Sequence, residues 1–243
     1  MNGAESRLPA PEPDLIGRVL GPAVQLWLRS QTEHLGELQV AIAGRNRQLL
    51  SGYIPQVSLT AQAAVYQGLH LEAVTLTGEN IRVNLGQLLR GRPLQLLEPV
   101  MVRGELALTA AGLQASLASP LLAGALRDLV ALLTQAPGAP TQITWQQVDL
   151  VPGRITLRGQ AALAAGDPRP VSLETGLSLA SPNQLRLAPL SLSANLPGKH
   201  PEAFTLDLGA GVAFEDISLR AQGLHLQGAI QVQPEPPEAA AEA

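Results

Sequence analysis

Leu69 to Pro99 reads LHLEAVTLTGENIRVNLGQLLRGRPLQLLEP and holds the clearest β-pattern in the chain. Val74 and Leu76, then the polar Thr77-Gly78-Glu79-Asn80, then Ile81 and Val83 predict two short strands facing each other across a turn. The same spacing returns where Val148, Leu150, Ile155 and Leu157 bracket Val151-Pro152-Gly153-Arg154, and where Ile217, Leu219, Leu224 and Leu226 bracket Arg220-Ala221-Gln222-Gly223. Each gap holds a Gly, which supplies the positive φ that tight or bulged hairpins need. The copies lie too far apart and too irregularly for a solenoid, so the recurring unit signals sheet architecture.

A chain of 243 residues, 46% of them hydrophobic, has ample core for one large β-rich domain or two small ones. Aromatics at 2% leave Leu, Val, Ile and Ala to build that core. With 16 basic against 20 acidic residues the net charge is −4, which argues against nucleic-acid binding through excess cations. The absence of Cys excludes disulfides, thiol chemistry and Cys-ligated zinc. The first residues, MNGAESRLPAPEPD, lack the basic and apolar regions of a secretory signal. No apolar run reaches the roughly 18 residues of a membrane-spanning helix. The expected location is cytoplasmic, or peripheral on the cytoplasmic side of a membrane.

The Pro-rich residues 1–13 predict a disordered tail, and Asp14 is the expected N-cap of a helix. Leu15, Ile16, Val19, Leu20, Ala23, Val24, Trp27 and Leu28 give that helix an apolar stripe suited to docking on a sheet. Gly21-Pro22 should kink or interrupt it. Alternation then predicts strands at Leu38–Ile42 and Val57–Ala61, with a chain turn over Leu49–Pro55 and a phase slip between Leu71 and Val74 that implies a bulge. Val100, Val102, Leu106 and Leu108 alternate again around Gly104. Ser119 and Pro120 open the best helix, whose apolar face includes Leu122, Leu126, Leu129 and Leu133 opposite Arg127 and Asp128. Pro137-Gly138-Ala139-Pro140 ends it, and a subdomain boundary is expected near 135–141. Beyond lie short alternating strands over 143–150, 155–163, 171–179, 185–196, 204–208 and 217–232, then an acidic, Pro-rich tail over 234–243. The pattern is that of an antiparallel sheet curled over helices or around an apolar interior.

No nucleophile elbow, phosphate loop or metalloprotease motif occurs, and no enzyme, cofactor or metal is expected. His70 and His225 sit in identical Gly-Leu-His-Leu sequences, read as equivalent surface positions; a metal site from the pair requires their strands to be neighbours. Arg45, Arg47, Arg82, Arg90, Arg92 and Arg103 form a local cationic cluster against Glu72, Glu79 and Glu98. Arg suits bidentate contact with phosphate or carboxylate. Leu49, Leu50, Tyr53 and Ile54, with Leu88 and Leu89, would add apolar tips for a bilayer interface. The bland alternative makes these leucines core and the arginines solvated rim charges.

Gly44–Pro55, Ala64–Leu69, Gly78–Asn84 and Leu117-Ala118-Ser119-Pro120-Leu121-Leu122 carry a further signal. They resemble cyanobacterial members of the LmeA-like phospholipid-binding family, and the likeness extends over roughly 14–233. The resemblance implies an α+β fold, an elongated antiparallel sheet wrapped with a few helices around a lipid-accommodating interior like that of tubular lipid-binding domains. It implies a single domain that binds phospholipid without catalysis. Actinobacterial envelope members carry an export signal, and no such export is expected here. Joined to the residue reading, this places an anionic head group near Arg45, Arg47, Arg82, Arg90 and Arg92. Leu49, Leu50, Tyr53, Ile54, Leu122, Leu126, Leu129 and Leu133 become apolar lining or membrane contact. The alternative is an adaptor with a closed core whose Arg-rich loops meet an acidic protein partner.

Overall fold

The computed structural model describes residues 17–30, 32–133, 142–162, 167–193 and 202–234. The expected cap at Asp14, the tail at 1–13, the tail at 234–243 beyond Pro234 and the boundary at 135–141 lie outside these residues. The fold is α+β, with two open antiparallel sheets and a few short helices.

The first sheet is built around β3 (Tyr53–Tyr66) and β4 (Leu69–Arg82), two long strands paired from Tyr53↔Arg82 to Tyr66↔Leu69. The hairpin anticipated at Thr77–Asn80 does not form: β4 runs straight through, and the reversal is made at Gln67 (φ 48) and Gly68 (φ 72). Gly78 is a packing position, pairing with Val57 on one side and Val102 on the other. A Cβ there would meet Ile81 Cδ1 at 3.2 Å and Val100 Cγ1 at 3.5 Å. Glu79 and Asn80 are exposed, Asn80 at φ 56, while Thr77 is half-buried and Gly78 buried, so only the second half of the polar run faces solvent. The phase slip is present, with Leu71 and Val74 turned inward and Glu72 and Ala73 outward. No residue is inserted, however. Gln62↔Ala73 and Ala64↔Leu71 keep one register, and the irregularity falls on Ala63, φ 50.

β2 (Leu38–Ala43) and the two-residue β1 (His34–Leu35) flank β3. On the other side β4 pairs with β5 (Val100–Thr109), which pairs with β12 (Gly223–Val232) and then β11 (Val212–Arg220). Leu219↔Leu224 and Ile217↔Leu226 make the predicted C-terminal hairpin. Between β2 and β3 lies α2 (Asn46–Leu50), where a simple chain turn was expected; Arg45 N–H donates to Gln48 Oε1 at its start. α3 (Leu85–Leu88) is one turn long before Gly91 and Pro93 stop it.

α1 (Gly17–Ser30) continues unbroken through Pro22. Proline removes one backbone donor, but Leu20 and Val24 on either side of it are buried against the sheet and hold the helix in place. α4 (Ala110–Ser116), which periodicity did not reveal, is capped by Thr109 Oγ1 accepting from Gly112 N at 3.0 Å. It covers the end of β4 that outruns β5. There Ser116, fully buried, accepts from His70 N at 2.8 Å and donates to the Gly112 carbonyl at 2.6 Å. α5 (Pro120–Leu133) follows, with Ser119 Oγ accepting from Leu122 N as the predicted cap.

The second sheet orders β10 (Phe204–Asp207), β9 (Gln184–Ser193), β8 (Arg169–Ser181), β7 (Arg154–Ala162) and β6 (Gln142–Val151). Its β6–β7 hairpin pairs Val148↔Leu157 and Leu150↔Ile155, as the spacing predicts. The largest core lies between this sheet and the helices: Leu113, Leu117, Leu126, Leu129, Val130 and Leu133 pack with Trp145, Leu157, Leu173, Leu187 and Leu192. The β6 edge is covered by α4. Gln114 of α4 donates its side-chain amide to the Gln146 carbonyl of β6 and accepts from Val148 N. The second sheet's turns meet β11, with Gly153 N donating to Leu219 O and Phe214 N to Pro182 O.

Leu126→Asp should abolish the cooperative melt or lower it severely, since an unpaired carboxylate in that core costs several kcal/mol, while exposed Arg127→Asp should stay within about 0.5 kcal/mol. Equal melting of the two variants would contradict the assigned helix face. Ser116→Ala should cost about 1–3 kcal/mol, because His70 N–H loses its acceptor. A urea midpoint lowered at constant slope is the expected reading.

Candidate functional site

Strand register gathers apolar residues from distant parts of the chain onto one face of the first sheet. Leu38, Ala61, Val74, Leu106, Leu226 and Ile217 form one cross-strand row, and Ile42, Val57, Gly78, Val102, Ile230 and Val212 another. Six strands at about 4.8 Å spacing make that face about 24 Å across. Over β3 and β4, Leu59, Ala61 and Val74 are buried, with Leu28 of α1 packed against them. Over β5, β12 and β11 the cover thins. Leu76, Val102, Leu106, Leu226, Ile217 and Phe214 are only half-buried, and Ile230 is 44% exposed. The result is an apolar trough, sealed at one side by α1 and at the far end by the junction core around Leu108 and Leu219.

The middle row of the trough has no side chains at two adjacent strands. Gly104 pairs directly with Gly228. A Cβ on Gly104 would overlap the Thr75 carbonyl and lie 2.6 Å from Leu76 Cδ2; one on Gly228 would lie 2.6 Å from the Ala213 carbonyl. Neighbouring backbone comes this close only where a sheet is sharply coiled, and only glycine fits there.

At one end of the trough, α2, α3 and the loop that follows form a tip. An open cleft of about 370 Å³ is lined by Leu50, Ser51, Gly52, Asn84, Leu85, Gln87, Arg90 and Leu97, among others. The two segments that carry the basic residues and paired leucines are therefore neighbours in space. Asn84, 6% exposed, ties the tip together. Its Nδ2 donates to the Pro93 carbonyl at 2.9 Å, its Oδ1 accepts from Gln95 N at 2.8 Å, and its backbone N donates to Gln95 O. Gly52, φ 75, accepts from Val83 N and joins the end of α2 to the same turn.

Arg90 stands at the cleft, Arg92 two residues on, and Arg45 and Arg47 open α2. Arg82 lies at the tip end of β4, its guanidinium 5.1 Å from the Tyr53 ring centroid, while the Tyr53 hydroxyl donates to Asn80 Oδ1. Arg103 sits apart on β5, opposite Thr77. Among the described residues no carboxylate lies within ion-pair distance of any of these arginines.

The apolar candidates divide. Leu49 and Ile54, each 1% exposed, pack with Leu20, Ile81, Val83, Leu85 and Val100, so the expectation that Leu49 reaches a membrane interface is corrected: its side chain is needed to fill the tip's own core. Leu50 is 60% exposed. Leu126, Leu129 and Leu133 are buried, and Leu122 half-buried, in the junction core away from the tip. Of the pair Leu88 and Leu89, both expected as apolar tips, Leu88 packs on the tip's core and Leu89 is exposed. Leu97 and Asn84 were missed; the doublet Leu96-Leu97, echoing Leu49-Leu50, was the available signal for the first. His70 and His225 are on β4 and β12, which β5 separates, so the strands are not neighbours. His225 instead lies 3.8 Å from Glu105 and 3.9 Å from Asp216.

No single helix among the described residues is long and apolar enough to cross a membrane; α4 and α5 qualify only together, across an 80° bend. The inner face of α5 is already occupied by the core. Comparisons with curated proteins and with solved structures return no match. A family profile does match, described as LmeA-like phospholipid-binding, over residues 14–229. With that match running from α1 to β12 and taking in both the trough and the tip, the chain belongs to the LmeA-like phospholipid-binding family.

Proposed function

We propose that this protein holds a phospholipid at a membrane surface, acyl chain in the trough of the first sheet and anionic head group toward the arginines at its end, without catalysing a reaction. The observation that carries the reading is the half-buried apolar face shared by β4, β5, β12 and β11, more open than a closed core. Burying about ten methylenes there is worth about 8 kcal/mol at 0.8 kcal/mol each, enough to retain a lipid with no specialised residue. Arg45, Arg47, Arg90 and Arg92 are exposed and free of carboxylate partners among the described residues, which leaves their planar donors available to phosphate.

Native mass spectrometry of the purified protein should show bound phospholipid, and Ile230→Glu should reduce it several-fold with little change in melting temperature, since Ile230 is 44% exposed and contributes little to folding. A protein free of lipid, or retention unaffected by the substitution, would favour an adaptor with a closed core instead. Flotation with phosphatidylglycerol-containing vesicles should exceed that with pure phosphatidylcholine vesicles and should weaken as salt rises. Equal binding to both at every ionic strength would remove the electrostatic part of the reading.

A further inference from the structure

Three Leu-Leu doublets meet at the tip, and each is split the same way. Leu49, Leu88 and Leu96 turn inward onto the tip's core, while Leu50, Leu89 and Leu97 turn outward at 60%, 63% and 57% exposure. From this geometry we infer that Leu50, Leu89 and Leu97 are a membrane-inserting tripod that docks the protein on a bilayer containing anionic phospholipid. The inference rests on the lipid-binding reading and adds to it the surface by which the protein meets its lipid source.

The backbone that carries the outward leucines is held by the tip's own packing and hydrogen bonds. Each is braced by its inward neighbour, and the loop bearing Leu97 is fixed by the Val83↔Leu96 bridge and by Leu97 N donating to the Arg82 carbonyl at 2.9 Å. The buried Asn84 side chain clamps Pro93 and Gln95 between Leu89 and Leu97. A protein that spends buried hydrogen bonds on keeping three leucines in water has a surface that is complete only when they are covered.

Charge and texture select the bilayer as the occupant. Residues 45–55 and 84–99 contain Arg45, Arg47, Arg90 and Arg92 against the lone acid Glu98. Ser51, Asn84 and Gln87 interrupt the apolar lining of the cleft between Leu50 and Leu97. A protein interface would centre on a contiguous apolar patch with aromatic anchors. Separate aliphatic tips with basic residues beside them instead match insertion among head groups, where each tip enters the acyl boundary and each guanidinium meets phosphate. The tip core also packs against Ile42, Val57 and Val102 of the trough, so docking would bring the trough's end to the bilayer surface.

Because the chain contains no Cys, single cysteines at Leu50, Leu89 and Leu97 can each carry an environment-sensitive fluorophore, with Leu26, 71% exposed on α1, as the control position. On vesicles of equal phosphatidylglycerol and phosphatidylcholine, the three tip probes should shift to the blue and the Leu26→Cys probe should not. The triple variant Leu50→Ser, Leu89→Ser, Leu97→Ser should bind the same vesicles about ten-fold more weakly, while melting near the parent and retaining co-purified phospholipid as the parent does. Silent tip probes, a shift equal to that at Leu26, or parental vesicle binding by the triple variant would overturn the tripod. Failure of the lipid-holding reading would appear separately, as absence of retained phospholipid from the parent protein whatever the probes report.

Discussion

Cross-strand register along β4 is the constraint on which the rest of the molecule depends. Once Val74, Leu76 and Gly78 are aligned with β3 on one side and β5 on the other, residues far apart in the chain share a single apolar face. A slip of one residue would turn that face to the opposite side of the sheet, so hydrophobic burial and hydrogen bonding enforce the same answer. The close approach at Gly104 and Gly228 bends this face, and their lack of side chains keeps its middle clear. One register thus determines where the core closes and where it stays partly open.

The remaining elements cover what that sheet leaves exposed. α1 seals the β2–β3 side, and α4 caps the overhanging end of β4 through Ser116. α5 shares its leucines with the second sheet, whose turns meet β11, the far edge strand of the first. A core with so few aromatic residues relies on many interlocking aliphatic contacts, each modest, across a large junction. Such packing is selective about total volume and tolerant of aliphatic detail, a property compatible with an apolar surface that accepts a flexible chain.

In the proposed function, trough and tip would divide the work of lipid binding between two kinds of force. The trough offers non-directional burial, roughly proportional to the area covered and largely indifferent to salt. The tip offers charge and hydrogen-bond donors, which act over about a Debye length of 10 Å at 0.1 M salt and orient an approaching molecule. Their shared side chains around Val102 make the two continuous, so the proposed function would place attraction to a surface and capture of a chain at one end of the same sheet.

The local pattern of the sequence was sufficient for features stabilised by near neighbours. Alternation located most strands, the Gly-containing turns at 151–154 and 220–223 marked two hairpins, and Ser119-Pro120 marked the start of α5. Family resemblance read from a few motifs indicated lipid binding, in keeping with the family match. Tertiary structure alone decided the rest. Gly78 looks like a turn residue until Val57 and Val102 pair on both sides of it, and Pro22 looks like a helix break until Leu20 and Val24 are anchored. Above all, nothing local distinguishes Leu49 from Leu50, Leu88 from Leu89 or Leu96 from Leu97. Which leucine of each doublet enters the core depends on neighbours brought from other strands, because burial is a property of the assembled surface and composition cannot specify it.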